Sequence, residues 1–224
     1  MHTDQNTYLE STELIDSDHE AIRQFVRRVI TGADNDRQKA VRLYYAVRDG
    51  WRYNPYNIHF AKEAFRASNI LSKNYGHCLD KAILLIAVFR AAGLPARLCL
   101  AKVRNHLAAD RLEEVFGSNE LAPHGYVEVW LDEHWIKATP AFNRELCDHL
   151  GVEPLDWDGE HDSLFQEYDH RAGAFMEYVE EYGVFEAIPF DFIVAIMREN
   201  YPHIFAETLE LSREKLERLI HATR

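Results

Sequence analysis

The residue best suited to chemistry in this chain is Cys78, which stands between a polar turn and an apolar run of helical length. Residues 79–90 carry apolar side chains at three- and four-residue spacing, which predicts a helix that ends near Gly93. A cysteine in the first turn of a helix lies beside unpaired N–H groups, which stabilise a thiolate and can bind the oxyanion of an attacked carbonyl. The sequence therefore predicts a lowered pKa for Cys78 and a cysteine nucleophile. The alternative is a small apolar cysteine packed in the core.

The histidine best placed to serve such a nucleophile is His124. Residues 124–131 alternate between apolar and polar side chains, which predicts a half-buried strand, and a turn at 132–134 leads into a second strand at 135–139. A nucleophilic cysteine needs a base within hydrogen-bond reach, and a histidine on a neighbouring strand can supply it. A cysteine at a helix start with a histidine on a later strand is the papain-like arrangement.

Several sequence blocks surround these two residues in a fixed order. In chain order, the first block contains Cys78, the second follows the cysteine helix, the third contains His124 and the fourth is the next predicted strand. They are Gly76-x-Cys78-x-Asp80-Lys81-Ala82, Ala92-Gly93-Leu94-Pro95-Ala96-Arg97, His124-Gly125-Tyr126-Val127-Glu128-Val129 and Trp135-Ile136-Lys137-Ala138-Thr139-Pro140. Together they resemble the transglutaminase-like superfamily over roughly residues 40 to 145.

The resemblance implies a family that contains transglutaminases, bacterial cysteine proteases and peptide:N-glycanases. By that resemblance Cys78 is the nucleophile that attacks an amide or ester carbonyl to form a thioester, and His124 is the general base that moves the proton. Water would then complete a protease or amidase reaction, and an amine would complete a transglutaminase-type transfer. The sequence does not select between these outcomes or identify the substrate. The expected partner is a peptide or protein amide, and we expect no cofactor and no metal.

One position departs from the family pattern, because Thr139 stands where the family usually has the aspartate that orients the histidine. A threonine hydroxyl can accept a hydrogen bond from the imidazole but supplies no negative charge. Asn143 is a second candidate for this role, since an asparagine fills it in papain-like enzymes. Glu128 and Asp132 are weaker candidates. The lost charge leaves an alternative open, namely a catalytically weak or inactive domain that acts as a binding or scaffold module.

Two segments before the cysteine are candidates for substrate binding. Trp51 and Tyr53 belong to an aromatic, proline-bearing segment that could line a groove, although packing of this segment onto the core is the simpler interpretation. Asn74 and Tyr75 could add an amide or a hydroxyl to the oxyanion site, although turn chemistry is the simpler interpretation for them. Both assignments depend on where the fold places these residues.

The element pattern predicts an α+β fold with a papain-like or transglutaminase-like core. Strands at 96–103, 124–131 and 135–139 would form a small antiparallel sheet, with the cysteine helix packed on it. The segment 168–182 fits a strand and a helix equally well. Further helices are predicted at Ser17–Ile30, from Asp34 or Asn35 to Gly50, and at Asp110–Phe116, Arg144–Leu150, Pro189–Asn200 and Ser212–Thr223.

The composition is that of an ordinary globular protein, with 47% hydrophobic and 28% charged residues among 224. We expect one domain over residues 1–224, with its core at about 40–145 and a C-terminal helical extension at about 146–224. A formal net charge of −12 disfavours binding to nucleic acids and to acidic membrane surfaces.

The cysteines and the apolar segments bear on location and assembly. Cys78, Cys99 and Cys147 are an odd number without metal-like pairing, which suits a reducing cytoplasm. No secretory signal and no membrane-spanning run are visible, so we expect a cytoplasmic protein without a membrane partner. The apolar face of the helix at 189–200 either covers the core or packs against a second subunit, which keeps a homo-oligomer open.

Overall fold

The computed structural model describes residues 5–55, 60–106, 117–165, 168–169, 173–174 and 176–204. The predicted helices at 110–116 and 212–223 lie outside these residues. Within the described part, no helix combines the length and the apolar character needed to cross a bilayer. The helices are α1 Glu20–Val29, α2 Asp36–Gly50, α3 Ala67–Leu71, α4 Cys78–Ala91, α5 Arg144–Leu150 and α6 Phe190–Asn200; the strands are β1 Arg52–Tyr53, β2 Tyr75–Gly76, β3 Ala96–Asn105, β4 Glu120–Leu131, β5 His134–Ala138, β6 Tyr168–Asp169, β7 Gly173–Ala174 and β8 Met176–Phe185.

Helix α4 is the centre of the fold because it is buried on all sides. Every residue from Cys78 to Arg90 is buried, which is the pattern of a helix enclosed by other elements. Helices α1, α2 and α3 and strands β3 and β4 pack around it. Gly93 follows the helix with a φ of 82°, a left-handed conformation that glycine adopts without strain. The predicted end of the cysteine helix is therefore confirmed.

The main sheet has the strand order β5-β4-β3-β8, and all its neighbouring strands are antiparallel. The predicted antiparallel pairing of three strands and the α+β fold class are confirmed. The turn between β4 and β5 consists of Asp132 and Glu133, with φ of 48° and 67°. The added edge strand is β8, which lies in the segment where the sequence pattern did not decide between strand and helix. Its side chains show no regular alternation of burial, which explains why periodicity could not identify it.

The starts of the first two helices differ in how well the sequence predicts them. Helix α1 begins at Glu20, and its cap is His19, whose Nδ1 accepts a hydrogen bond from the Ala21 N–H at 3.2 Å. The predicted helix start at Ser17 is therefore wrong, because Ser17 lies in a preceding turn where its N–H donates to the Ile15 carbonyl. Helix α2 is capped by Asn35, one of the two predicted starts, and it ends at Gly50 as predicted.

A buried lysine fastens the first turns of α4 to the segments around it. Lys81 is fully buried, and its Nζ donates hydrogen bonds to the carbonyls of Arg48 at 2.7 Å, Trp51 at 2.9 Å and Ala141 at 2.7 Å. Burial lowers the pKa of Lys81. The three acceptors oppose that effect, because only the ammonium form carries three N–H donors. Lys81 thereby joins the end of α2, the start of β1 and the segment after β5 to one helix.

Two buried arginines repeat this use of backbone carbonyls. Arg48 donates to the Leu155 carbonyl at 2.8 Å and to the carboxylates of Asp49 and Asp156. Arg90 donates to the carbonyls of Ala96, Glu10 and Glu186, at distances from 2.6 to 3.0 Å. Long charged side chains therefore hold the irregular segments against the helical core.

Replacing Lys81 by methionine keeps most of the side-chain volume but leaves three buried carbonyls without their donor. We expect Lys81→Met to lower the free energy of unfolding by about 3 kcal/mol, since each such loss costs about 1–3 kcal/mol before the chain relaxes. Urea unfolding measures this change. The control is Lys39→Met, which removes a surface ion pair with Asp36 and should cost less than about 1 kcal/mol. Equal losses in the two variants would contradict the role given to Lys81.

Candidate active site

A cleft opens onto the N-terminus of α4, and Cys78 lies in its wall. Only 7% of the surface of Cys78 is exposed to solvent. The cleft is mostly apolar, and its lining comes from the β1 segment, the first turn of α4, the first half of β4 and the end of α6. The lining residues are Tyr53, Pro55, His77, Cys78, Leu79, Leu121, Ala122, Pro123, Met197 and Tyr201.

The turn before α4 is shaped so that Cys78 is the first helical residue. His77 is the N-cap, and its Nδ1 accepts from the Asp80 N–H at 3.4 Å, while the Asp80 carboxylate accepts from the His77 N–H at 3.2 Å. This reciprocal pair satisfies two of the free N–H groups of the helix start. Gly76 is required here, because a Cβ at this position would lie 2.9 Å from the Cβ of Asp80. The cysteine is thus placed at the helix terminus by its immediate neighbours.

The chemical state of Cys78 differs from the one that the sequence predicts. Burial raises the pKa of its thiol to about 11, and the nearby Asp80 carboxylate adds to the rise. The backbone N–H groups of Gly125, Leu79 and Cys78 itself oppose the rise but do not outweigh it. The predicted lowering of this pKa is wrong, because the loss of solvation of the thiolate exceeds the stabilisation from the helix terminus.

Strand β4 approaches the cysteine at Gly125. A Cβ on Gly125 would lie 2.7 Å from Leu79 Cδ2 and 3.3 Å from the Leu79 Cα, so only a glycine allows this contact between strand and helix. The Gly125 N–H, which stabilises the Cys78 sulfur, belongs to the peptide bond that joins His124 to Gly125. The structure therefore brings the cysteine to the backbone of the predicted general base.

His124 is enclosed by aromatic rings and is 1% exposed. Its ring centroid lies 5.5 Å from that of Phe165 and 6.1 Å from that of Tyr178. Its Nε2 is buried and has no hydrogen-bond partner among the described residues. Burial lowers the pKa of His124 to about 3. At neutral pH the imidazole and the Cys78 thiol are therefore both uncharged.

The candidates for orienting His124 lie in different places. Thr139 is buried directly after β5, and its hydroxyl has no hydrogen-bond partner among the described residues. The Asn143 Oδ1 accepts the Tyr53 N–H at 3.0 Å, so this side chain holds the β1 segment. Glu128 forms a 2.7 Å ion pair with Arg97, and Asp132 pairs with Arg37. Of these candidates, Thr139 is the one whose side-chain oxygen is recorded as buried without a hydrogen-bond partner among the described residues, and this oxygen lies near the Tyr178 hydroxyl.

Of the residues predicted to bind the substrate, some line the cleft and others do not. Tyr53 lines the cleft, and its ring packs against Phe142 at 4.8 Å. Trp51 is a core residue whose Nε1 donates to the Ile70 carbonyl at 3.1 Å. Asn74 is exposed, and Tyr75 pairs with Arg52 in the small parallel β1–β2 ladder. Trp51, Asn74 and Tyr75 lie outside the lining of the cleft as far as the described residues define it.

Sequence reasoning missed the contribution of α6 to the cleft. Met197 lines it, and the Tyr201 hydroxyl accepts the Ala122 N–H at 2.7 Å and donates to the Glu120 carbonyl at 2.9 Å. These contacts join residues some 80 positions apart in the chain, and no local pattern signals them. His77 was also missed as a lining residue, although its place beside Cys78 could have indicated it.

Comparisons with known proteins agree with the resemblance. The family model for the transglutaminase-like superfamily matches residues 23–140, more than half of the chain, which confirms the predicted family. The chain is similar to a proposed cysteine protease from Cytophaga hutchinsonii, with 18% identity over 62% of this chain and 43% of that one, at a TM-score of 0.49. It is also similar to the periplasmic domain of TgpA from Pseudomonas aeruginosa, with 19% identity over 62% of this chain and 48% of that one, at a TM-score of 0.44. It thus spans less than half of each of these two structures, and no curated protein matches it.

The buried state of His124 makes the fold sensitive to acid. The pKa of His124 is about 3 in the folded chain and 6.5 ordinarily, so below pH 6.5 the unfolded chain binds a proton here that the folded chain does not. Stability is therefore lost as the pH falls from 6.5 towards 3, by about 1.4 kcal/mol per pH unit from this residue. Urea unfolding at pH 7, 6, 5 and 4 should give a shallower dependence for His124→Gln than for the wild type. The exposed His134→Gln serves as control and should follow the wild type. Parallel curves for all three proteins would refute a buried neutral His124.

Proposed function

This chain belongs to the transglutaminase-like superfamily, and we propose on that basis that it is a cysteine-dependent acyl-transfer enzyme. In this proposal Cys78 is the nucleophile and His124 is the general base. The observation that carries it is the position of the Cys78 sulfur, which lies in the wall of a cleft and beside the peptide bond that follows His124. A core cysteine of purely structural importance needs neither an opening nor a base.

The uncharged resting state determines how the reaction would begin. As the sulfur attacks the carbonyl carbon of an amide or ester, the thiol proton passes to the imidazole of His124. The carbonyl oxygen becomes an oxyanion, and N–H groups at the helix start stabilise it. Collapse of this intermediate breaks the bond to the leaving group, which takes the proton from His124, and a thioester on Cys78 remains. A water molecule or an amine then attacks the thioester, and His124 accepts the proton of the attacking group. The C–S bond breaks, the acyl product leaves, and His124 returns the proton to the Cys78 sulfur.

The cleft supports a peptide or protein amide as the substrate. Apart from the Cys78 thiol, its lining is apolar except for His77, the hydroxyls of Tyr53 and Tyr201 and backbone groups, so the acyl part of the substrate would be uncharged near the cysteine. Hydrolysis and transfer differ only in the acceptor that reaches the thioester. The buried free thiols of Cys78, Cys99 and Cys147 favour a reducing compartment, and we assign the protein to the cytoplasm as part of this proposal.

A binding or scaffold module is the second candidate. The observation that favours it is the uncharged Thr139 at the position where the family has an aspartate. An imidazole without a charged partner, at a pKa of about 3, is a weak base. This candidate predicts that the cleft binds a peptide without forming a covalent intermediate.

A thioester on Cys78 would decide between the two candidates. We expect p-nitrophenyl acetate to acetylate Cys78, detected by intact-protein and peptide mass spectrometry. Cys78→Ala should abolish this product, and His124→Ala should slow its formation at least a hundredfold, the usual contribution of a general base. Cys147→Ala removes another buried thiol and serves as the control. Acetylation of the wild type at a rate that His124→Ala does not change would contradict the enzyme and favour the binding module.

The pH dependence of turnover gives a second prediction. Because the pKa of His124 is lowered to about 3, the imidazole stays a base well below neutral pH. We expect kcat/KM for acylation to remain flat between pH 8 and 5.5. A histidine of ordinary pKa would lower it about tenfold over this range. A decline centred at pH 6 to 7 would show that the base is not the buried His124.

A further inference from the structure

One wall of the cleft beside Cys78 comes from α6, a helix outside the part of the chain that the family model matches. The match ends at residue 140, whereas α6 spans Phe190–Asn200. Met197, near the end of this helix, lines the same cleft as Cys78 and is 5% exposed. The matched family pattern therefore does not determine what this side of the cleft binds.

Helix α6 is fastened to the fold at both ends. At its start, the ring of Phe190 packs edge-on against that of Phe65, with the centroids 5.4 Å apart at 78°. Directly after its end, the Tyr201 hydroxyl accepts the Ala122 N–H at 2.7 Å and donates to the Glu120 carbonyl at 2.9 Å. Tyr201 is buried, so these hydrogen bonds are shielded from water. The helix is therefore held in place as a wall of the cleft.

The hydrogen bonds of Tyr201 also remove a group that a bound peptide backbone could use. The N–H of Ala122 is taken by Tyr201, and Pro123 has no N–H. A peptide backbone lying along these two residues would find no N–H donor for its carbonyl groups, and a buried carbonyl without a donor is costly. Together with Leu121 and Met197, the same residues instead offer apolar surface. This end of the cleft therefore suits a hydrocarbon side chain.

We propose that Met197 is a specificity-determining residue, and that the cleft takes substrates with an apolar side chain next to the carbonyl that Cys78 attacks. This proposal rests on the proposed function, since attack by Cys78 places that side chain in the cleft. Among the described residues, the lining carries no carboxylate, ammonium or guanidinium group, so a charged side chain would lose its water without gaining a partner. The flexible thioether of Met197 packs against the end of the bound side chain and limits its length.

Turnover of N-acetyl amino acid p-nitroanilides tests the proposal. Leucine and aspartate side chains have nearly the same shape, so in the wild type kcat/KM should be at least about tenfold higher for the leucine compound. Met197→Ala should raise the norleucine-to-alanine ratio of kcat/KM at least about tenfold, the usual effect of fitting one more methylene into an apolar pocket. The control is Ile196→Ala, since Ile196 is also 5% exposed on α6 but lies outside the cleft lining as the described residues define it. Its ratio should match that of the wild type.

A second variant keeps the size of the side chain and so preserves the packing of α6. Met197→Gln places an amide where the thioether was, and a hydrocarbon that covers this amide removes its water. The norleucine-to-alanine ratio should then fall at least about tenfold, opposite to the effect of Met197→Ala. Unchanged ratios in both variants, or an equal change in Ile196→Ala, would overturn the role of Met197. Equal kcat/KM for the leucine and aspartate compounds would overturn the apolar substrate class.

Chemical labelling separates this proposal from the proposed function, because it needs no general base. In a Cys99→Ala/Cys147→Ala background, alkyl methanethiosulfonates form a mixed disulfide with Cys78 and release methanesulfinate. Relative to its rate with a small free thiol, the propyl reagent should label faster than the 2-aminoethyl reagent of the same shape. Met197→Ala should raise the pentyl-to-methyl rate ratio at least about tenfold.

The two measurements together assign any failure to one proposal. If the wild type cleaves no anilide but labelling shows these differences, the proposed function fails and the specificity of the cleft stands. If the anilides are cleaved but neither turnover nor labelling depends on Met197, the specificity proposal fails alone.

Discussion

The structure of the site depends on one buried positive charge, the Lys81 ammonium. Its hydrogen bonds to the carbonyls of Arg48, Trp51 and Ala141 bind three separate segments to the first turns of α4. The same segments carry Tyr53, which lines the cleft, and Asn143, which holds the Tyr53 backbone. Since backbone groups rather than solvent satisfy the charge, the start of α4 can be enclosed completely.

Enclosure then determines the chemistry that the site supports. A dry environment disfavours every charged form, so it raises the pKa of Cys78 and lowers that of His124. In the proposed mechanism, a neutral pair that exchanges a proton during attack takes the place of a preformed thiolate–imidazolium pair. The same low polarity strengthens the N–H groups that face the sulfur, because their fields are not screened by water. The uncharged Thr139 is consistent with such a site.

The sequence predicts the parts of this arrangement that local patterns encode. The bounds of α4, the paired strands and the placement of Cys78 and His124 all follow from periodicity, turn residues and the order of the motif blocks. The direction of the Cys78 pKa shift does not follow, because it depends on how deeply other elements bury the helix start. The roles of Asn143 and Tyr201 also escape prediction, since each is defined by a contact with a distant part of the chain. Sequence patterns therefore locate the two candidate reacting groups, and tertiary packing decides their protonation state.

The central claim is that Cys78 and His124 rest uncharged in a dry site. The most direct measurement is a titration of the Cys78 thiolate by its ultraviolet absorbance in a Cys99→Ala/Cys147→Ala variant, which leaves one thiol. The structure predicts little thiolate below pH 9, since the pKa of Cys78 is about 11. A transition at or below pH 7 would instead demonstrate a preformed ion pair and contradict the account.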